Sequence, residues 1–425
     1  MKEYASEIRN AVIRELDLTR ELPDEEILAL IDQGVCACAK DHVLSLSERR
    51  SLRREVFYSL RRFDILQELL EDDTITEIMV NGSGTIFYER DGKMHRFEKS
   101  FSSREKLEDV IQQMVGTNNR VVNEYSPIVD TRLRDGSRVN VVLEPIALDG
   151  SCISIRKFPK DPITMEKMIA YRTLNREVAD FLKRLVAARY NIFISGGTGS
   201  GKTTFLNALS AFIPSWERII TIEDSAELQI TNIPNLVRLE TRNDNMESGN
   251  EISIRDLIRT ALRMRPDRII VGEIRGAEAL DMLQAMNTGH DGSFSTGHGN
   301  SCQDMLGRIE TMVLMGMDLP LAAVRAQITA GIDIMVHLGR MRDRGRKVLD
   351  VVELAGCDGQ KIRLNPLYHF REAWEGESKP GRAEKSEKAG QSVNGMDGES
   401  EGEGSGCWEK VGELIHTEKL YRAGF

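Results

Sequence analysis

The sequence predicts an α/β fold over its larger part, joined to a smaller α+β domain with a helical N-terminal extension. Three observations lead there. Strands and helices alternate from about residue 163 to 370. Short strand patterns surround a single helical stripe between 74 and 158. Residues 1 to about 70 carry only helical periodicity.

In the first 70 residues, Ile8, Val12 and Leu16, then Ile27, Leu28, Leu30 and Ile31, recur at helical spacing. Asp24-Glu25-Glu26 after Pro23 marks a helix start. The stretch Ser47 to Arg62 carries Arg49, Arg50, Arg53, Arg54, Arg61 and Arg62, and reads first as a solvated helix face and second as a docking surface.

From Thr74 the period changes. Ile75, Ile78 and Val80, then Ile86, Phe87 and Tyr88, are strand-like runs split by Asn81-Gly82-Ser83-Gly84. Asp91-Gly92 predicts a hairpin turn before Met94 to Phe97. Leu107, Val110, Ile111, Met114 and Val115 form one helical face. Val129 to Leu143 returns to strand with a turn at Asp135-Gly136, and Ile153 to Arg156 is another strand. Two prolines, Pro159 and Pro162, make 159–165 a linker.

The α/β part spans 166–370. Strands are expected at Ile192–Ser195, Arg218–Ile222, Leu236–Glu240, Arg268–Gly272 and Ser293–Thr296, with helices at Ile254–Met264 and Ala277–Asn287. Such alternation implies a parallel sheet covered on both faces, with ligands at the carboxyl ends of its strands. Residues 371–406 are rich in Glu, Gly, Ser and Lys and read as a disordered linker. The element at 407–425, with Trp408 to His416, either docks on the core or engages a partner.

Net charge is −10, from 57 basic and 67 acidic residues, which disfavours broad nucleic-acid binding. No apolar run approaches the ~20 residues of a membrane span. Met1-Lys2-Glu3-Tyr4-Ala5 lacks a signal-peptide core, so a cytoplasmic protein with only peripheral membrane contact is expected. Cys36, Cys38, Cys152, Cys302, Cys357 and Cys407 form no C-x-x-C pair, so a structural zinc site is disfavoured.

Gly196-Gly197-Thr198-Gly199-Ser200-Gly201-Lys202-Thr203 fits G-x-x-x-x-G-K-[ST] between an apparent strand and a helix beginning near Thr204. In that context the backbone N–H groups cradle phosphates at a helix N-terminus. Lys202 reaches the β/γ-phosphates, and the Thr203 hydroxyl faces Mg²⁺. Residues 196–204 are therefore the nucleotide-binding candidates. Two apolar strands then deliver carboxylates to the same edge. Ile219–Ile222 leads to Glu223, and Arg268–Val271 leads through Gly272 to Glu273. Glu273 is the candidate for polarising water. Glu223 is the second acidic contact to metal or water, and Thr203, Glu223 and Glu273 are the Mg²⁺ set, the carboxylates binding directly or through water. The run Thr288 to Ser301 holds His290 and His298; no third ligand is spaced for a metal site, and His298 is the candidate for contacting phosphate.

These segments resemble the Walker A, Asp, Walker B and His boxes of the type II/type IV secretion ATPases: Gly196–Thr203, Thr221–Glu227, Arg265–Arg275 and Thr296–His298. Glu278 to His290 and Asp135-Gly136-Ser137-Arg138-Val139-Asn140 resemble the CpaF/TadA branch, the motors of tight-adherence (Flp-type) pili. The resemblance covers about 64–370. It implies a RecA-like ATPase domain, a PAS-like N-terminal domain, a homohexameric ring, ATP with Mg²⁺, and inner-membrane platform partners. It further implies that Arg138 and Arg156 are donated to the nucleotide. Arg134 stands where relatives often carry Pro, a tetracysteine zinc module is lacking, and the 371–406 insertion has no counterpart in the pattern. The function implied is a motor for Flp pilus assembly or type II-like secretion. The alternatives are a conjugation-type type IV secretion ATPase and a docking protein whose nucleotide binding, not turnover, matters.

Overall fold

The computed structural model describes residues 2–16, 20, 22–90, 92–117, 120–158, 162–242, 251–341, 345–358, 360–372 and 406–425. They fall into two compact units, one within 1–161 and the other within 162–425.

The first unit opens with α1 (Lys2–Glu15), α2 (Asp24–Asp41) and α3 (Leu46–Arg61). Their shared core holds Ile8, Val12, Ile31, Val35, Leu52 and Val56. Pro23 precedes α2, and Asp24, Glu25 and Glu26 place negative charge on its N-terminal dipole. A reciprocal Ser45–Glu48 capping box starts α3. Much of the basic stretch turns out to tie these helices together. Arg53 chelates Asp32 (2.6 and 3.2 Å), Arg61 and Arg62 both reach Asp24, and Arg49 donates to the Leu44 carbonyl.

The same unit continues with α4 (Leu66–Glu71), β1 (Ile75–Asn81), β2 (Thr85–Arg90), β3 (Lys93–Arg96), α5 (Arg104–Gly116), β4 (Ile128–Arg132), β5 (Arg138–Val142) and β6 (Cys152–Arg156). The strands form one antiparallel sheet in the order β3-β2-β1-β6-β5-β4. The whole predicted stripe of α5, Leu107 to Val115, is buried against it. Gly92 takes a left-handed φ of 70° in the β2–β3 turn, which favours glycine; its partner Asp91 lies outside the described residues.

In the second unit, α6 (Met165–Ala170) and α7 (Arg176–Ala187) precede β7 (Ile192–Gly196), α8 (Lys202–Ser210), β8 (Ile219–Glu223) and β9 (Leu236–Glu240). Next come α9 (Ile254–Ala261), β10 (Arg268–Val271), α10 (Glu278–Asn287), β11 (Phe294–His298), α11 (Cys302–Gly316) and α12 (Leu321–Gly331). The chain then turns to β12 (Ile334–Arg340), β13 (Arg346–Cys357), β14 (Ile362–Glu372), β15 (Gly406–Lys410) and α13 (Glu418–Arg422). Helix α6 begins at Met165, capped by Thr164, so regular structure reaches the end of the expected linker; residues 159–161 lie outside the described set.

The sheet runs β15-β14-β13-β12-β7-β11-β10-β8-β9. The expectation of a purely parallel sheet is corrected. Strands β12, β7, β11, β10, β8 and β9 are parallel, but β13, β14 and β15 are added antiparallel. For β13 and β14 the cause is connection length. Between β12 and β13 the chain has room only for a hairpin, whereas a parallel return needs a crossover of a dozen residues or more. Fully buried β7 and β8 lie inside, with helices burying both faces.

The linker expected at 371–406 is narrower than predicted: Arg371 and Glu372 finish β14, Gly406 begins β15, and Glu372 pairs with Gly406. Residues 373–405 lie outside the described set. The 407–425 element docks back on its own sheet. Trp408 Nε1 donates to the Val348 carbonyl at 2.8 Å, and Tyr190 donates its hydroxyl proton to the His416 carbonyl at 2.6 Å. The buried carboxylate of Glu353 accepts from Ile415 N, His416 N and Asn365 Nδ2, each at 2.8 Å, and pairs with His416 Nδ1. Among the described residues no helix is long and apolar enough to cross a membrane.

The Glu353 contacts make a direct stability prediction. Glu353→Gln turns one acceptor oxygen into a donor that faces other donors. Such a mismatch costs about 1–3 kcal/mol. Amide exchange at residues 411–416 is expected to rise in this variant ahead of exchange in β7; equal exchange in wild type and variant would contradict the anchoring role.

Candidate nucleotide site

Strand β7 delivers the glycine loop at its carboxyl end, and Lys202 opens α8. The loop closes tightly because its glycines allow it. Gly199 and Gly201 hold φ of 71° and 91°, in the left-handed region. A Cβ on Gly196 would come within 2.5 Å of the Leu338 carbonyl oxygen and of Ser200 Oγ, whereas Gly197 faces open space.

Lys202 is 8% exposed and turns back over its own loop. Its Nζ donates to the carbonyls of Gly196 and Gly197 and lies against His298 Nδ1, each at 3.2 Å. Burial pulls its pKa below the ordinary lysine value, and the charge of Glu273 opposes that pull. His298 ends β11, the strand beside β7. Its Nε2 lies 2.8 Å from Glu273 Oε1, but the direction is wrong for a hydrogen bond, so that buried oxygen stays unpartnered. Burial depresses the His298 pKa, and the Glu273 carboxylate partly offsets it. Glu273 Oε2 is held by Arg275 at 2.7 and 3.1 Å. Lys202, His298 and Glu273 thus form a chain across β7, β11 and the end of β10. Thr296 Oγ1 fastens it by donating to the Gly272 carbonyl at 2.7 Å.

Glu223 closes β8 and is 3% exposed. Its Oε1 accepts from Glu227 N (2.7 Å) and Leu228 N (3.0 Å), while Oε2 is buried without a partner. Burial outweighs those hydrogen bonds and lifts its pKa to about 7. A Cβ on Gly272 would sit 2.9 Å from Glu223 Cγ, so glycine before Glu273 makes room for this carboxylate. Among the described residues no cluster of three His, Cys, Asp or Glu side chains is arranged to hold a metal alone. The oxygens present instead suit Mg²⁺, which binds through few protein oxygens, phosphate and water. The Thr203 hydroxyl, the unpartnered Glu223 Oε2 and Glu273 would hold it, and it would neutralise phosphate charge there. His290 lies at the far end of β11 against the Ala285 carbonyl, away from His298.

Arg138 and Arg156 lie in the first unit, opposite each other on β5 and β6. Arg132 stands opposite Arg138 on β4, so three arginines lie abreast on one sheet face. Like charges set side by side disfavour folding unless something offsets them. Arg156 lies 4.0 Å from Glu77. Sequence reading missed Arg132, although strand alternation places it on the face of Arg138.

It also missed the far wall of the loop. Arg346 Nε donates to the Gly199 carbonyl at 3.0 Å, and Arg340 approaches the same glycine. The signal was present as arginines at 340, 342, 344 and 346, of which 342 and 344 lie outside the described residues. Beside the loop opens a cavity of about 220 Å³ lined by Ile163, Met168, Tyr171, Thr204, Leu338 and Arg346 among others.

Residues 60–359, more than half of the chain, match the family model described as Type II/IV secretion system protein. The chain belongs to this family. It is 33% identical over 311 residues to a putative conjugal transfer protein of Mycobacterium tuberculosis, covering 72% of this chain and 88% of the relative. It is 34% identical over 313 residues to the type IV secretion system protein PtlH of Bordetella pertussis, covering 67% of this chain and 92% of that protein. A crystal structure of the pilus retraction motor PilT with bound ADP shares the fold, with a TM-score of 0.52 at 21% identity over 72% of this chain and 82% of that one. In a family of secretion ATPases, the glycine loop and its acidic edge fit the use of a nucleotide.

Buried Glu223 generates a pH prediction. Its folded pKa is raised from the ordinary 4.5 to about 7. The stability it contributes is therefore full below about pH 4.5 and is lost as pH rises through about 7. Glu223→Gln keeps the Oε1 acceptor and removes the charge. In metal- and nucleotide-free protein the variant is expected to be more stable than wild type by about 1–3 kcal/mol at pH 8, with little gain at pH 5. Urea unfolding at both pH values measures this; an equal gain at both would rule out a buried charge as the cause.

Proposed function

We propose that the protein is an ATP-hydrolysing hexameric motor that powers Flp/tight-adherence pilus assembly or type II-like secretion. The observation that carries this reading is the chain Lys202–His298–Glu273, which joins the phosphate loop to the carboxylate best placed to polarise water. Lys202 and the loop N–H groups bind the phosphates, and the cavity beside Tyr171 and Thr204 receives the base. His298 now occupies the space in front of Lys202. Arriving phosphate takes over that contact, so His298 reports the nucleotide state to Glu273. Glu273, held by Arg275, orients the attacking water.

Arg138 and Arg156 are proposed as the arginines donated to the γ-phosphate, with Arg132 beside them. An arginine from another domain or subunit neutralises transition-state charge and couples closure to hydrolysis. The proposed assembly is a homohexameric ring with a RecA-like ATPase domain and a PAS-like N-terminal domain. It would work in the cytoplasm, at the inner face of the membrane, through platform proteins. The stretches at 135–140 and 278–290 favour the CpaF/TadA branch. A second reading, a conjugation-type type IV secretion ATPase, is supported by the names of the two relatives above.

Glu273→Gln is expected to keep nucleotide affinity while turnover falls about 100-fold or more, the scale of losing a positioned base. Measuring ADP affinity beside steady-state hydrolysis tests this; turnover within a fewfold of wild type would withdraw Glu273 as the water-polarising residue, and lost turnover with secretion intact would favour a docking protein. A separate test is activity per subunit against protein concentration, with light scattering, for wild type and Arg138→Ala. Activity that rises with ring assembly and collapses in the variant supports a donated arginine. Activity independent of assembly would mean each subunit holds a complete site.

A further inference from the structure

His337, near the middle of β12, is 5% exposed and takes no part in the chemistry above. Register places it beneath the phosphate loop. On one side it faces Ser195, the residue before Gly196, and on the other Asp350 of β13. Ser195 is fully buried, and its Oγ lies 2.8 Å from His337 Nδ1. The ring also engages the backbone of Asn300. Ser195 Oγ and His337 Nδ1 share one buried hydrogen bond, its direction set by the ring's tautomer. Burial holds the ring neutral, against the charges of Asp350 and Asp304. The Cys302 thiol, pushed up to about 12 by burial, packs against the same serine.

This contact lies where two loops meet. Ser195 is the root of the phosphate loop that carries Lys202. Asn300 lies two residues past His298, and between them Gly299 N donates to the Gly196 carbonyl at 3.4 Å. The 3.2 Å approach of Lys202 to His298 depends on the spacing of these two loops.

We propose that His337 is a positioning residue for the nucleotide site: by holding the Ser195 hydroxyl, it fixes the root of the phosphate loop against β12 and so sets where Lys202 stands relative to His298. The inference rests on the nucleotide reading of that loop. Leucine fills comparable volume but accepts and donates nothing, leaving Ser195 without this partner. Glutamine offers both an acceptor and an N–H donor and is the conservative replacement.

The test compares His337→Leu and His337→Gln with wild type in the full chain, by amide exchange without nucleotide and by steady-state hydrolysis. The leucine variant is expected to raise exchange about tenfold in 196–201 while β8 and β10 keep theirs, the scale of one lost buried hydrogen bond. Its kcat is expected to fall about tenfold with KM changed less than about threefold, and glutamine is expected to restore both readouts. The proposal is overturned if leucine leaves 196–201 unchanged, if exchange rises throughout the sheet, or if glutamine fails to rescue. Absence of turnover in wild type would count against the ATPase reading alone, because the exchange comparison still decides the Ser195 contact.

Discussion

A single buried ammonium governs the arrangement of this site. Lys202 is nearly enclosed, and a charge taken out of water must be met by nearby acceptors or lose its proton. The acceptors here are the carbonyls of Gly196 and Gly197 and the ring of His298, with the Glu273 carboxylate supplying opposite charge. Meeting that demand pulls together the ends of β7, β10 and β11. Parallel pairing makes this cheap, because side-by-side parallel strands end on the same edge.

The two carboxylates of that edge sit in different environments. Glu273 is ion-paired to Arg275 and keeps 20% of its side chain exposed. Glu223 is buried behind Gly272, with one oxygen satisfied by backbone and the other left over. An unpartnered buried carboxylate oxygen opposes folding, and its persistence next to a phosphate loop fits a site that waits for a cation or water.

The antiparallel wing β12–β15 adds a second layer of control. It supplies Arg340 and Arg346 against the loop, His337 beneath it, and an edge closed by β15. The C-terminal strap fastens onto Tyr190 at the foot of β7, and Lys419 onto Asp333 at the foot of β12. The strand that carries the phosphate loop is therefore held at both ends by residues far along the chain.

The sequence by itself determined the glycine loop, both acidic strand ends, the stripe of α5 and the alternation of the α/β part. Each is a local pattern, readable from neighbours a few residues apart. Spacing could not reveal that His298 would reach Lys202 while His290 would not, since that depends on which end of β11 each occupies. Nor could it reveal Arg346 on Gly199, or His337 under Ser195, partners separated by more than a hundred residues. The mixed character of the sheet was hidden for a related reason: a strand pattern records burial, while its direction is set by the length of the connection and the neighbour it finds. Tertiary structure decided these contacts because strand order, not chain order, chooses which side chains meet.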